Sequence, residues 1–246
     1  MSKGYVLVTG ASRGLGAATL IQLAKDGYDV VGTYVSDSSE AKIKAVVEEA
    51  RAYGGKVEYT RCDIRDYDDC VKLFEFADQV MGKEIYALVA NAGIAGNCFF
   101  HEEPRESYEA MIHTNLVAPM YCAQLALQRM LPQKDGQIVL LSSIGGTMGA
   151  PTQVAYGAAK GGLISFAKAL SKEVSAYNIR VNCVAPGVMD TDMVAGAPPD
   201  ARAMTIAAIP LGRMGVAQDI ADCVSYIVNS NYVTGQTISP NGGIYA

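Results

Sequence analysis

Each scarcity in this 246-residue sequence removes a class of protein. No apolar run approaches the roughly 20 residues needed to cross a bilayer. The opening MSKGYVLVTG has too short an apolar core for a signal peptide. Basic residues do not outnumber acidic ones: 20 Lys and Arg face 25 Asp and Glu, and the net charge of −5 argues against a nucleic-acid partner. The six cysteines, at 62, 70, 98, 122, 183 and 223, form no CxxC pair, and neither His101 nor His113 has company in metal-ligand spacing. No metal is expected. The cysteines fit small buried apolar residues in a reducing cytosol, and the two histidines fit structural or surface roles. Linkers, low-complexity tracts and internal repeats are missing as well, so residues 1–246 read as one domain.

Half of the residues are hydrophobic and 18% are charged, the balance of a chain that buries a core rather than staying disordered. Short apolar runs alternate with longer amphipathic ones. YVLVT, DVVGTY, KVEYTRC, YALVA, QIVLLS, IRVNCVA and QTISP read as strands. Segments such as GAATLIQLAKDG, SEAKIKAVVEEARAYGG and DCVKLFEFADQVMG read as the helices between them. Near-continuous Val, Ile and Leu strands joined by helices imply a parallel sheet buried on both faces. Right-handed crossovers then give an α/β, Rossmann-type doubly wound fold. Residues 186–215, rich in Pro, Gly, Ala and Met, are the least regular part and the candidate substrate loop.

The first strand runs into TGASRGLG, residues 9–16. Glycines between a strand and a helix let the backbone and the helix N-terminus approach a dinucleotide's diphosphate. Gly10, Ser12, Arg13, Gly14, Leu15 and Gly16 are therefore candidate cofactor-binding residues. An NAD-binding chain would place an acid at the end of the second strand, to accept from the ribose 2′-hydroxyl. Here that end holds Gly32, Thr33 and Tyr34, and Asp37 comes several residues late. Arg13 can pair with a 2′-phosphate, so NADP(H) is expected over NAD(H), with Thr33 beside it. Asp63, followed by Ile64, closes the third strand; its carboxylate can accept from an adenine amino group or cap the next helix. Asn91, Ala92 and Gly93 close the fourth strand, where backbone can pass near a ribose.

Tyr156 and Lys160, four residues apart in VAYGAAKGG, share a helix face. Ser143, at the carboxyl end of the fifth strand, can reach the same crevice. A phenol with a pKa of about 10 exchanges protons poorly at neutral pH, and a nearby ammonium, together with an oxidised nicotinamide's positive charge, would favour the phenolate. Ser143 would hold a substrate oxygen while Tyr156 exchanges its proton with a carbonyl. Pro119 stands four residues after Asn115 in a helical segment, so the Asn115 carbonyl loses its usual N–H donor. That carbonyl can then hold a water linking Lys160 to solvent.

With these residues assembled, the chain resembles the short-chain dehydrogenase/reductase family over essentially its whole length. TGASRGLG, NAGI, Ser143, the Tyr156/Lys160 pair and VAPG follow in that family's order and spacing. The resemblance implies a seven-stranded parallel sheet, a nicotinamide cofactor and Asn115 as a fourth catalytic residue beside Ser143, Tyr156 and Lys160. It implies Lys160 on the nicotinamide ribose, the Val188 backbone and Thr191 hydroxyl on the carboxamide, and Pro186 and Gly187 as further cofactor-binding residues. It also implies a dimer or tetramer. Within the family, IPLGRMG, YVTGQ and the late double glycine look most like bacterial 3-oxoacyl-[acyl-carrier-protein] reductases, which suggests an acyl thioester substrate and an acyl carrier protein as partner. Lys134 and Tyr177 stand approximately where those enzymes carry arginines for the carrier protein, and SPNGG replaces their usual valine–aspartate before the glycines. A hydroxysteroid or other bulky secondary alcohol is the alternative substrate, and a non-catalytic dinucleotide sensor the alternative class.

Overall fold

The structure, a computed structural model, describes residues 4–190 and 199–245. Its strands are β1 (Tyr5–Val8), β2 (Asp29–Tyr34), β3 (Val57–Arg61), β4 (Ile85–Ala90), β5 (Gly136–Leu141), β6 (Ile179–Val184) and β7 (Thr237–Ile238). All pairs are parallel, in the order β3-β2-β1-β4-β5-β6-β7. The helices are α1 (Gly14–Lys25), α2 (Glu40–Arg51), α3 (Tyr67–Met81), α4 (Arg105–Ile112), α5 (Ala118–Gln133), α6 (Gly145–Met148), α7 (Val154–Val174), α8 (Pro199–Ala207) and α9 (Ala217–Asn229).

Strand alternation sorts the core into two layers. In β1, Tyr5 and Leu7 join a cluster with Phe74 of α3, Met130 of α5 and Leu163 of α7. Val6 and Val8 face the other way, onto Leu20 of α1, Ile43 of α2 and Val224 of α9. Every residue of β5 and β6 is buried, as expected for strands covered on both faces. The strand order reverses direction between β1 and β4, and such a reversal opens a crevice at the carboxyl ends of the strands.

Two features differ from the sequence-based expectation. The irregular stretch 186–215 contains α8, which starts with Pro199 and has Asp200 in its first turn. The segment from Arg105 to Gln133 is not one regular helix: residues His113–Val117 form a π-helical turn, in which the Ala118 N–H donates to the His113 carbonyl five residues back. Cys62, Cys70, Cys122 and Cys183 are buried, Cys98 and Cys223 half-buried, and all six are free.

Candidate active site

Gly10 sits at φ +66°, a left-handed conformation that favours glycine. Its N–H donates to Thr33 Oγ1 at 3.1 Å, and the next N–H, of Ala11, donates to the Thr33 carbonyl at 2.8 Å. The β1 exit is thereby tied to β2. A second tie uses Thr9, whose hydroxyl accepts from the N–H groups of Asn91 and Ala92, both at 3.1 Å. Asn91 Nδ2 donates to the Thr9 and Gly10 carbonyls at 3.0 Å. Gly16 closes this knot: a Cβ there would press on the Gly10 carbonyl and come within 2.5 Å of Asn91 Nδ2. At the start of α1, Arg13 is in the N-cap position without a side-chain cap, the first turn holds no acid, and nothing lies within 4 Å of where a Gly14 Cβ would project. This N-terminus, with its unsatisfied N–H groups and positive dipole end, fits a diphosphate.

Asp63 pairs with Arg65 rather than capping α3. Arg65 engages its carboxylate through Nε at 2.9 and 3.1 Å and Nη2 at 2.5 Å, and this holds the carboxyl below its usual range. The cap of α3 is Asp66, whose Oδ1 accepts from the N–H groups of Asp68 and Asp69. Asp63 is therefore not the N-cap, although its oxygens retain acceptor capacity for another donor. Ile64 is buried beside it, its carbonyl accepting from Cys70 Sγ at 3.3 Å.

The end of β5 is fastened to α7 by two consecutive residues. The Leu141 carbonyl accepts from Lys160 Nζ at 2.6 Å, and Ser142 Oγ donates to the Lys160 carbonyl at 2.8 Å. Ser143 stands beside Tyr156: its Oγ and Tyr156 Cδ1 lie 3.4 and 3.6 Å from where a Gly145 Cβ would project. Ser143 Oγ also accepts the Gly145 N–H at 3.0 Å. The small residues around Tyr156 serve this approach: Cβ atoms at Gly157 and Gly161 would lie 2.9 and 3.0 Å from the carbonyls of Gly145 and Gly146 on α6.

Burial decides the protonation of the pair. It pushes the Tyr156 phenol up, with the neighbouring Ser143 hydroxyl partly offsetting the rise. It also pulls Lys160 down to about 8. Lys160 adds no lowering of its own, its Nζ being turned onto Leu141 and 5.8 Å from the Tyr156 ring centroid, so the expected lowering is left to the nicotinamide's charge.

Asn115 is fully buried and spends its carboxamide on the loop after β4. Its Nδ2 donates to the Ile94 carbonyl at 2.8 Å and its Oδ1 accepts the Ile94 N–H at 3.0 Å. Gly93 sits between the groups: a Cβ there would fall 2.6 Å from Asn115 Oδ1 and 3.5 Å from Lys160 Nζ.

Beyond β6, the Pro186 carbonyl accepts from Ile144, the Gly187 N–H donates to Pro240, and the Val188 carbonyl accepts from Gly215. Thr191 lies outside the described residues. The crevice thus gathers Gly10–Gly16, Thr33, Asn91–Gly93, Asn115, Ser143, Tyr156 and Lys160 at one edge of the sheet. Thr9 and Ser142 escape sequence reasoning. Thr9 directly precedes Gly10, and only that adjacency could have flagged it.

This arrangement has known counterparts. The family model described as short chain dehydrogenase matches residues 4–202. A 3-oxoacyl-[acyl-carrier-protein] reductase from Staphylococcus aureus is 36% identical over 241 residues, covering 97% of each chain. Another, from Thermotoga maritima, is 36% identical over 240 residues, covering 97% of this chain and 96% of its own. Among solved structures, a provisionally assigned short-chain alcohol dehydrogenase from Sinorhizobium meliloti superposes with a TM-score of 0.93 at 32% identity, covering 99% of this chain and 97% of that one. A provisionally assigned gluconate dehydrogenase from Agrobacterium tumefaciens gives 0.92 at 30%, covering 98% and 95%. With the family model spanning most of the sequence and full-length relatives above 30% identity, the chain belongs to the short-chain dehydrogenase/reductase family of oxidoreductases.

Proposed function

We propose that the chain is an NADP(H)-dependent reductase of 3-oxoacyl thioesters, giving the 3-hydroxyacyl product. The observation that carries the chemistry is Ser143 set beside Tyr156, with Lys160 buried one turn further along α7. The substrate class follows from the 36% identity to 3-oxoacyl-[acyl-carrier-protein] reductases along nearly the whole chain.

A bound reduced nicotinamide dinucleotide supplies hydride to the carbonyl carbon. The residues of the chain do the rest. Ser143, its oxygen already accepting from Gly145, has its proton free to donate to the substrate oxygen. Tyr156, kept protonated at neutral pH by burial, gives its proton to that oxygen as charge develops on it. Lys160 is fixed by Leu141, and its other two protons would be available to a cofactor ribose and to the phenol's recharging. Asn115 shapes the Gly93–Ile94 wall. Its carbonyl, to which Pro119 can offer no N–H, would hold a water that returns protons to Lys160. Gly10–Gly16 hold the diphosphate, Arg13 the 2′-phosphate, and Asp63 the adenine amino group.

Phe99, Phe100, Met148 and Val154 are exposed apolar side chains on segments flanking Tyr156, which suits an acyl chain. Turnover of acetoacetyl thioesters on coenzyme A and on acyl carrier protein, measured against oxosteroids with both cofactors, tests the assignment. In wild type, thioester reduction with NADPH is expected to lead. Tyr156→Phe should lower turnover at least 1,000-fold with cofactor affinity kept. Turnover surviving in Tyr156→Phe would sink the mechanism, and faster steroid turnover would sink the substrate class.

A further inference from the structure

At the exit of β2 no acid meets a ribose 2′-hydroxyl, yet a carboxylate stands close by in Asp37. In the structure Asp37 is held by Arg61. β3 runs parallel to β2 with Arg61 opposite Tyr34, so the last residue of β3 lies beside the last residue of β2. The Arg61 side chain reaches across that exit: Nε donates to the Val35 carbonyl at 3.0 Å, and Nη1 lies 3.0 Å from Asp37 Oδ1.

These two contacts differ in kind. The bond to Val35 anchors the guanidinium to backbone. The pair with Asp37 joins side chains 62% and 87% exposed, and an ion pair so open to water contributes little and exchanges readily. Around the same turn, Ser36 Oγ lies 3.0 Å from Ser38 Oγ and 2.8 Å from Ser39 Oγ, a set of neutral hydroxyl donors.

We propose that Arg61 sets the choice between the two nicotinamide dinucleotides, by exchanging Asp37 for the 2′-phosphate of NADP(H) while keeping Asp37 off the ribose. The proposal rests on the NADP(H) assignment and names a second cation for it, from β3 rather than from the glycine loop. A phosphate monoester carries nearly two charges at neutral pH against one on Asp37, and guanidinium binds it with charge-assisted, often paired hydrogen bonds. The displaced carboxylate, being exposed, returns to water at little cost. With NAD(H) no such exchange occurs, and Asp37 stays on Arg61 instead of accepting from the 2′-hydroxyl.

Fluorescence titration of NADPH and NADH into cofactor-free wild type, Arg61→Gln and Asp37→Asn tests this, with 2′-AMP and 5′-AMP as fragment probes. Arg61→Gln is expected to weaken NADPH about 10- to 100-fold, to shrink the preference for 2′-AMP over 5′-AMP to what Arg13 alone supports, and to leave NADH equal or tighter. Asp37→Asn is expected to tighten NADPH. A wild type that binds NADH as well as NADPH overturns the cofactor assignment and the role of Arg61 together. A wild type that prefers NADPH, with that preference intact in Arg61→Gln, leaves the assignment standing and overturns Arg61. Equal losses of NADPH and NADH in Arg61→Gln would mark a merely structural residue, and overturn it too.

Discussion

The starts of α1 and α3 both follow a strand at the carboxyl edge of the same sheet, and they are finished in opposite ways. α3 is closed by its own sequence: Asp66 accepts from two N–H groups, and Asp68 and Asp69 add negative charge in the first turn. α1 has no side-chain cap and no acid, and its first turn is Gly-Leu-Gly. The same division separates two buried cations. Arg180 shares Nη1 between the Asp135 carboxylate at 2.9 Å and the Asn178 carbonyl at 2.6 Å, and only its Nε lacks a partner among the described residues. Among the described residues Lys160 has one carbonyl and no carboxylate. Where the chain serves only its own stability it satisfies polar groups internally. Where it awaits a ligand it leaves them open, at a cost in stability that the ligand removes.

The largest test of that division is Gly16→Ala. Its Cβ would collide with the Gly10 carbonyl and Asn91, so cofactor affinity should fall more than about 100-fold and stability by about 1–3 kcal/mol, read by titration and urea denaturation. Wild-type affinity would show that the close approach is not needed for binding.

Next comes Lys160→Met. Lys160 titrates near 8 in the folded chain against 10.5 when unfolded, so the folded state bears the full cost of burying the ammonium below pH 8. That cost fades as pH rises from 8 to 10.5, because the unfolded chain still binds the proton there. The stability of wild type relative to Lys160→Met should therefore improve by about 3 kcal/mol across that window. A flat difference would mean that Lys160 is solvated.

A smaller effect is expected on copying the α3 solution into α1. Arg13→Asp should cap the helix and raise stability by about 1 kcal/mol, while weakening NADH about 10-fold through repulsion of the diphosphate. NADH is the probe because it lacks the phosphate that Arg13 itself is assigned. Unchanged NADH affinity would break the comparison. The smallest is Asp66→Ala, which should cost about 1 kcal/mol of stability and leave both cofactor affinities alone; a loss of affinity would mean that the two starts are not independent.

Much of this was legible in the sequence because it depends on local pattern. The seven strands announce themselves as apolar runs, and the glycine loop, Ser143 and the Tyr156/Lys160 pair sit at fixed offsets from them. What was hidden depends on neighbours distant in sequence or on degenerate local choices. Asp63 and Asp66 are both plausible caps by spacing, and only the backbone path selects Asp66. The share of the phenol's lowering expected from Lys160 assumed an ammonium facing Tyr156, whereas β5 supplies a carbonyl that claims Lys160. Arg61 pairs with Asp37 across two adjacent strands, 24 positions apart in the chain, and nothing near either residue signals the other. For α8 the signal was present in Pro199 and Asp200, at the positions that favour a helix start, but surrounding Pro, Gly and Ala read as loop.

The π-helical turn at His113–Val117 has a consequence for how this region can vary. One residue more per turn shifts the angular phase of a helix by about 100°. α4 and α5 therefore form one rod with two registers: the C-terminal one aims Cys122, Ala126 and Met130 at the core. At the junction, Asn115 is free to point at Ile94. Mutational drift along the core stripe of α5 need not rotate the asparagine, whereas deleting a single residue from the turn would swing the whole of α4 about the axis and unhook it.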